Sequence, residues 1–227
     1  MKSYLDFSDI DLMEKAASCQ RDRLLIRLLS RLGCRISEAL ALKVEDIDFE
    51  QGIVTILHLK RSIKLLCPNC RSRLGYRHQF CPGCGQKVSE GIKNQQARRR
   101  IRVLPVDEAT LAMLRNYINS LPYHDDKSSL FRLNRHRAWQ IGRDCAKRAR
   151  LPSLANPKTG RTRGVSPHRL RDAFSVHAMK VDDSGGGLRL LQEHLGHASF
   201  NTTAKYRKIA GEEHRQWYDR LWLNRTC

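Results

Sequence analysis

No stretch of this 227-residue chain approaches the roughly 18 consecutive apolar residues that cross a bilayer, and its start has none of the layout of a signal peptide. A membrane-spanning or exported protein is not expected; a soluble, cytoplasmic one is. The chain also lacks internal repeats and low-complexity tracts, which sets repeat architectures aside. Acidic residues are scarce: 23 Asp plus Glu stand against 42 Lys plus Arg, a formal charge of +19, and the basic excess is spread along the chain instead of sitting in one tail. Nor do the few carboxylates gather into the dense cluster that holds divalent ions for catalysis. Such a balance fits a polyanionic partner, nucleic acid above all. The length suffices for one sizeable core, or for one core plus a small appended module.

What is present starts with cysteine. Four of the eight form two matched pairs, Cys67-Pro68-Asn69-Cys70 and Cys81-Pro82-Gly83-Cys84, ten residues apart. Each pair presents two thiolates from one tight turn, and the four together suit a tetrahedral ion. One structural zinc is expected ahead of disulfides, because both the spacing and a cytoplasmic setting favour metal. Iron in a rubredoxin-like site stays open, since the Cys-Pro-x-Cys-Gly turn suits it as well. Cys19, Cys34, Cys145 and Cys227 have no such pairing and read as ordinary reduced cysteines.

The hydrophobic pattern predicts an α+β fold, mostly helical. After a cap-like Ser8-Asp9-Ile10-Asp11, the residues Leu24, Leu25, Leu28, Leu29 and Leu32 recur on one helical face up to a stop at Gly33. A second helix is expected at once over 36–42, with Arg35 at the junction. The period then falls to two over 52–60, the pattern of a strand, and 99–105 is its expected return. The cysteine pairs lie between these strands, so a β-hairpin has its turn replaced by a zinc ribbon; insertions are tolerated where they leave and re-enter at adjacent surface points. The expected division is a main domain over 1–66 and 91–227, interrupted by a ribbon over 67–90. From Asp107 onward helices return: one around Leu111, Met113, Leu114, Tyr117 and Ile118, and another over 138–149. A loop over 152–165 leads into a helix carrying His168. A short helix over 188–195 stops at Gly196. Asn201 or Thr202 could cap the next helix, with Tyr206 on its second turn, and a last helix over 212–223 has Trp217, Leu221 and Trp222 for an apolar face.

The late segments carry a phosphate-chemistry layout. His168 and Arg171 stand three apart just after Pro167, so a helix starting there projects both from one face. Tyr206 follows His197 by nine residues. A forked guanidinium binds two phosphate oxygens, an imidazole hydrogen-bonds a third or moves a proton, and a tyrosine oxygen can attack phosphorus. Each residue also has a plainer reading. Arg35 could be an ion-paired surface group with Glu38 three residues on, His168 and His197 could be buried structural histidines, and Tyr218 competes with Tyr206.

Taken together these residues resemble the catalytic domain of the tyrosine recombinase (phage integrase) family. Arg35 in Leu32-Gly33-Cys34-Arg35-Ile36-Ser37-Glu38 matches the family's first arginine box, His168 and Arg171 its H-x-x-R box, His197 in Leu195-Gly196-His197 its histidine-or-tryptophan position, and Tyr206 its nucleophile. The resemblance covers Asp9 to about Lys208, in the family's order and spacing. It implies a site-specific DNA recombinase of prokaryotic or viral origin, working on double-stranded DNA through a 3′-phosphotyrosyl intermediate with no metal or ATP in the chemical step. In that mechanism Arg35 and Arg171 clamp the nonbridging oxygens, His168 assists proton transfer and His197 hydrogen-bonds the phosphate. A relaxing type IB topoisomerase and a catalytically silent DNA-binding regulator are the alternatives; the complete set of boxes argues against the second, and the order from His197 to Tyr206 against the first.

Two departures follow. The family's general-acid lysine sits in a Gly-Lys-Gly hairpin turn that is absent here; Lys60 is the first choice by strand length, with Lys64 and Lys93 as alternatives. Only 34 residues precede Arg35, too few for the helical core-binding domain that relatives carry, so the chain is expected to be either a shortened piece or a natural minimal enzyme whose ribbon or a separate grip subunit completes the hold on DNA. The family's tetramers often exchange a C-terminal segment, a role the Trp217 to Trp222 helix could fill, as it could equally pack on its own domain. Arg98, Arg99, Arg100 and Arg102 are expected on the DNA backbone, or else mark a charged strand edge. Arg71 and Arg73 of the ribbon are expected to grip DNA beyond the cut site, against the reading that the ribbon is merely a stabilised surface module.

Overall fold

The computed structural model describes residues 2–57, 65–75, 78–88, 101–122, 126–156, 159–197 and 199–206. Lys60, Lys64, Lys93, Arg98, Arg99, Arg100, Trp217, Tyr218 and Trp222 lie outside the described residues.

The molecule is built around helix α2 (Gln20–Arg31). Its Leu24, Leu25, Leu28 and Leu29 are spaced to one side and fully buried, with Leu32 just beyond. On this helix pack α1 (Phe7–Lys15), α4 (Glu108–Asn119) and α6 (Pro167–Val181), while α3 (Ile36–Ala41) and α5 (Arg135–Arg148) close the remaining sides. The first helical stretch, expected as one helix, is two. The chain turns at Ala16 to Cys19, where Cys19 is extended, so α1 can fold back and bury Ile10 and Met13 in the same core. A straight continuation would leave both in water.

The strands form an antiparallel sheet in the order β1-β2-β5, with β1 Ile47–Asp48, β2 Ile53–Leu57 and β5 Ile101–Pro105. Val54 pairs with Leu104 and Ile56 with Arg102. Val54, Ile56 and Leu104 face the core, while Ile101 and Val103 alternate outward, as a half-buried sheet requires. The strand and its return are therefore as the period-two pattern predicts. β1 is an addition: two residues are too short to show a period.

The cysteine module branches from this hairpin. Its strands β3 (Leu65–Leu66) and β4 (Arg73–Leu74) pair with each other, and Cys67, Leu74, Cys81 and Val88 make a small core separate from the main one. Further on, the stretch expected as loop contains a short hairpin, β6 (Leu154–Ala155) against β7 (Thr162–Arg163). Helix α7 (Gly185–Leu195) begins three residues earlier than expected, because the Ser184 hydroxyl accepts the Gly187 N–H at 3.0 Å. Helix α8 (Phe200–Ala204) starts after Ser199, not at Asn201 or Thr202, and Tyr206 lies past its end, its N–H on the Thr203 carbonyl at 3.0 Å. Met179, Leu188, Leu191, Leu195 and Tyr206 form a second small core that ties α6, α7 and α8 together. Among the described residues no helix is long and apolar enough to cross a membrane.

Candidate active site

Arg171 is only 3% exposed, and its guanidinium bonds two helix ends and one histidine while lining the cleft. Nη1 donates to the Gly33 carbonyl at 2.6 Å, just past α2; Nη2 donates to the Leu195 carbonyl at 2.8 Å, the last residue of α7, and reaches His197 Nε2 at 3.1 Å. Carbonyls at helix C-termini lack helical partners and carry the negative end of the dipole, so they are fitting acceptors for a buried cation. Burial, followed by the nearby charge of Arg35, pushes the Arg171 pKa down to about 10, which leaves it protonated at neutral pH.

The turn that presents Gly33 needs a glycine. Its φ is +55°, and a Cβ there would lie 2.5 Å from Phe174 of α6. Two residues on, Arg35 occupies the cap position of α3. Its N–H donates to Glu38 Oε2 at 2.9 Å and its Nη1 to Glu38 Oε1 at 2.8 Å. The ion pair foreseen as the plainer reading is thus real, and it orients Arg35 along the wall of the site. Glu38, itself 2% exposed, also accepts Arg102 Nη2 at 2.7 Å. Arg102, expected on the DNA backbone or else on a charged strand edge, turns inward from β5, donates to Glu38 and to the His194 carbonyl, and packs over Gly196. Glu38 thus pairs with both Arg35 and Arg102, which offsets the cost of burying its carboxylate.

His197 is held from both sides. Because arginine only donates, Nε2 accepts from Arg171, and Nδ1–H donates to Thr203 Oγ1 at 2.8 Å. Burial, then the charges of Arg171 and Arg35, lowers its pKa to about 4, so the ring is neutral at physiological pH. His168, on the first turn of α6, is exposed. Tyr206 is 4% exposed, and its hydroxyl donates to Asp172 Oδ1 at 2.8 Å. Burial, the Asp172 charge and this hydrogen bond all hold the phenol well above its usual pKa.

One cleft of about 610 Å³ is lined by Arg35, His168, Arg171, His197, Lys205 and Tyr206. All the sequence-predicted catalytic residues that are described therefore meet there, although Arg35 and Arg171 stand far apart along the chain. A second cleft of about 850 Å³ opens on the other side of His168 and Tyr206, and Asp172, Trp139, Arg143, Arg163 and Arg169 contribute to it. Sequence reasoning singled out neither Asp172 nor Thr203 nor Lys205, whose Nζ lies 4.6 Å from the centre of the Tyr206 ring. The signal for Asp172 was its place four residues after His168, one helical turn along the same face.

The four cysteines meet as their spacing predicts. Their sulfurs lie within 4.8 Å of one another, with Cys67 to Cys84 at 3.6 Å and Cys70 to Cys81 at 3.4 Å. A zinc–sulfur distance of about 2.3 Å sets tetrahedral ligand edges of about 3.8 Å, so the donor set fits such an ion. Each pair closes a similar turn: Arg71 N–H donates to the Cys67 carbonyl and Gly85 N–H to the Cys81 carbonyl, both residues having positive φ. Arg71 and Arg73 are exposed on this module.

The model of the phage integrase family matches residues 4–73 and 86–213, and the gap between them holds Cys81 and Cys84. The chain is 26% identical over 212 residues to the tyrosine recombinase XerA of Pyrococcus furiosus, covering 89% of this chain and 55% of that one. It is 32% identical over 186 residues to the tyrosine recombinase XerD of Mycobacterium tuberculosis H37Rv, covering 82% and 47%. Thus it spans about half the length of the curated relatives it matches. Among solved structures, the XerA recombinase superposes with a TM-score of 0.65 at 22% identity, over 98% of this chain and 64% of that one. The XerH site-specific recombinase in a post-cleavage complex with its palindromic difH substrate gives 0.59 at 21%, over 95% and 52%. The fold is shared with both.

Proposed function

The chain belongs to the phage integrase family, and from that membership we propose that it cuts and rejoins double-stranded DNA at specific sites through a covalent bond to Tyr206. One observation carries this reading: Arg35, His168, Arg171, His197 and Tyr206, called from separate boxes, line a single cleft.

The chemistry follows from those groups. The scissile phosphate enters between Arg35 and Arg171, whose charges stabilise the negative charge that builds on the nonbridging oxygens. Tyr206 Oη attacks phosphorus and displaces the 5′ oxygen, leaving a 3′-phosphotyrosyl bond. The bond energy is retained, so religation needs neither ATP nor water. His197 is fixed by Arg171 and Thr203 and lines the same cleft, where it holds Arg171 in place for the phosphate. His168 assists proton transfer. The general acid for the 5′ oxygen comes from Lys60, Lys64 or Lys93. The recombinases solved on DNA, one of them as a dimer, support a DNA partner and a homo-oligomeric assembly; a tetramer as the working form and a cytoplasmic setting are our own reading.

Cys67, Cys70, Cys81 and Cys84 hold one structural zinc in an inserted module over 67–90, where the metal supplies a folded platform and takes no part in catalysis. Exposed Arg71 and Arg73 on that platform reach DNA away from the cleft.

The test is a DNA substrate nicked near the cut, so that religation is lost and adduct accumulates. A covalent protein–DNA species is expected with the wild-type chain and with Tyr218→Phe, and none with Tyr206→Phe. Absence of adduct on every candidate site, or its loss with Tyr218→Phe alone, overturns the reading.

A further inference from the structure

The carboxylate on the nucleophile is unexpected in so basic a molecule. A DNA-facing cleft gains from positive charge, and a negative group beside the scissile phosphate repels it. Yet Asp172 sits there, its side chain 7% exposed, with Oδ1 2.8 Å from the Tyr206 hydroxyl and 3.8 Å from His168 Nε2. Arg169 Nη1 lies 3.6 Å from Oδ2. The charged and titratable groups around it are His168 and Arg169 from α6, Tyr4 from the N-terminal segment, and Tyr206 with Lys205 over its ring. None of the family's boxes assigns this position.

We propose that Asp172 is a further catalytic residue, which takes the proton from Tyr206 during strand cleavage and returns it during religation; this rests on the function proposed above. In cleavage the Tyr206 Oη–P bond forms, the P–O5′ bond breaks, and the phenolic proton moves along the existing hydrogen bond to Asp172 Oδ1. The 5′ oxygen takes a separate proton from the general acid. In religation the 5′ hydroxyl attacks phosphorus and gives its proton back to the general acid, the P–Oη bond breaks as the P–O5′ bond forms, and the Asp172 carboxyl hands its proton back to the leaving phenolate.

Four features favour a base here. The acceptor touches the reacting oxygen. A neutral phenol is a poor nucleophile, and burial together with the neighbouring charge opposes its ionisation ahead of attack, so the proton has to leave as the new bond forms. His197 is unsuited to the task, because its lone pair accepts from Arg171 and its N–H is on Thr203. His168 is exposed next to Asp172 and offers the proton an exit to solvent. A carboxylate that accepts a hydroxyl proton late in phosphoryl transfer has a precedent in protein kinases.

The experiment measures single-turnover adduct formation on the nicked substrate from pH 6 to 9, with DNA binding measured in parallel. Asp172→Asn keeps the size and an acceptor oxygen but takes no proton. It is expected to bind DNA like the wild type and to form adduct about 10²-fold more slowly at pH 7. Its rate should climb about tenfold per pH unit, because attack then waits for ionised tyrosine. Asp172→Glu should recover part of the rate and the shallower wild-type profile. Asp172→Asn as fast as wild type, or faster, overturns the proposal and makes the hydrogen bond a mere resting contact. Asp172→Glu no better than Asp172→Asn also overturns it. Failure of the wild-type chain to form any adduct instead strikes the function itself, so the two failures are distinct.

Discussion

At the scale of the residue, the site is organised by one side chain that does two jobs. Arg171 faces the cleft while its Nη atoms close the C-terminal ends of α2 and α7 through Gly33 and Leu195. The consequence is that catalysis and stability are coupled at this position. Arg171→Lys retains the charge but loses the fork, leaving carbonyls without donors. We expect adduct formation to fall by about 10²-fold or more, and unfolding free energy in urea to fall by about 1–3 kcal/mol. A variant that lost activity alone would show that the helix-end contacts are dispensable. The candidate residues Arg35, His168, Arg171, His197 and Tyr206 could be read from the chain because each box is local, and the fold gathers them in one cleft. Asp172 could not, because a helical aspartate reads as an ordinary surface group until Tyr206 is seen on it.

At the scale of the element, helix ends decide the geometry. Gly33 ends α2 in a left-handed turn under Phe174, and this places Arg35 at the start of α3. Gly33→Ala meets both the backbone penalty and the 2.5 Å approach to Phe174. A loss of about 1–3 kcal/mol is expected, read as a lower thermal midpoint; an unchanged midpoint would show that α6 yields at no cost. Helix interiors and the β2–β5 pair were legible because their periods run over many residues. The break between α1 and α2 and the two-residue strands β1, β6 and β7 were not, and α8 was expected to start later and to carry Tyr206. Such pieces are set by where the chain must turn to bury Ile10, Met13 or Leu195, and no local period records that.

At the scale of the whole molecule, the cysteine module has its own small core, apart from the one around α2. Among the described residues that core holds Leu74 and Val88 beside Cys67 and Cys81, too little apolar surface to stay folded by burial alone, so the module's fold should depend on metal. Treatment with a strong chelator should release one zinc per chain and unstructure the module, while the main domain keeps its thermal transition. No released metal, or a single transition that collapses with chelation, would contradict this. The same division predicts that Cys67→Ser disturbs the module and spares adduct formation on short substrates.

The sequence by itself determined the family, the helical and strand-forming segments, the four metal-ligand candidates and the candidate site residues, because each of these depends on residue type and local spacing. Tertiary structure alone decided that Arg102 pairs with Glu38, that His197 is locked as a neutral ring, and that the Tyr206 hydroxyl rests on a carboxylate. These are choices of partner between groups far apart along the chain, such as Arg171 with Gly33 138 residues away. Buried polar groups must find partners wherever packing brings them, and only the packed core specifies which ones come within reach.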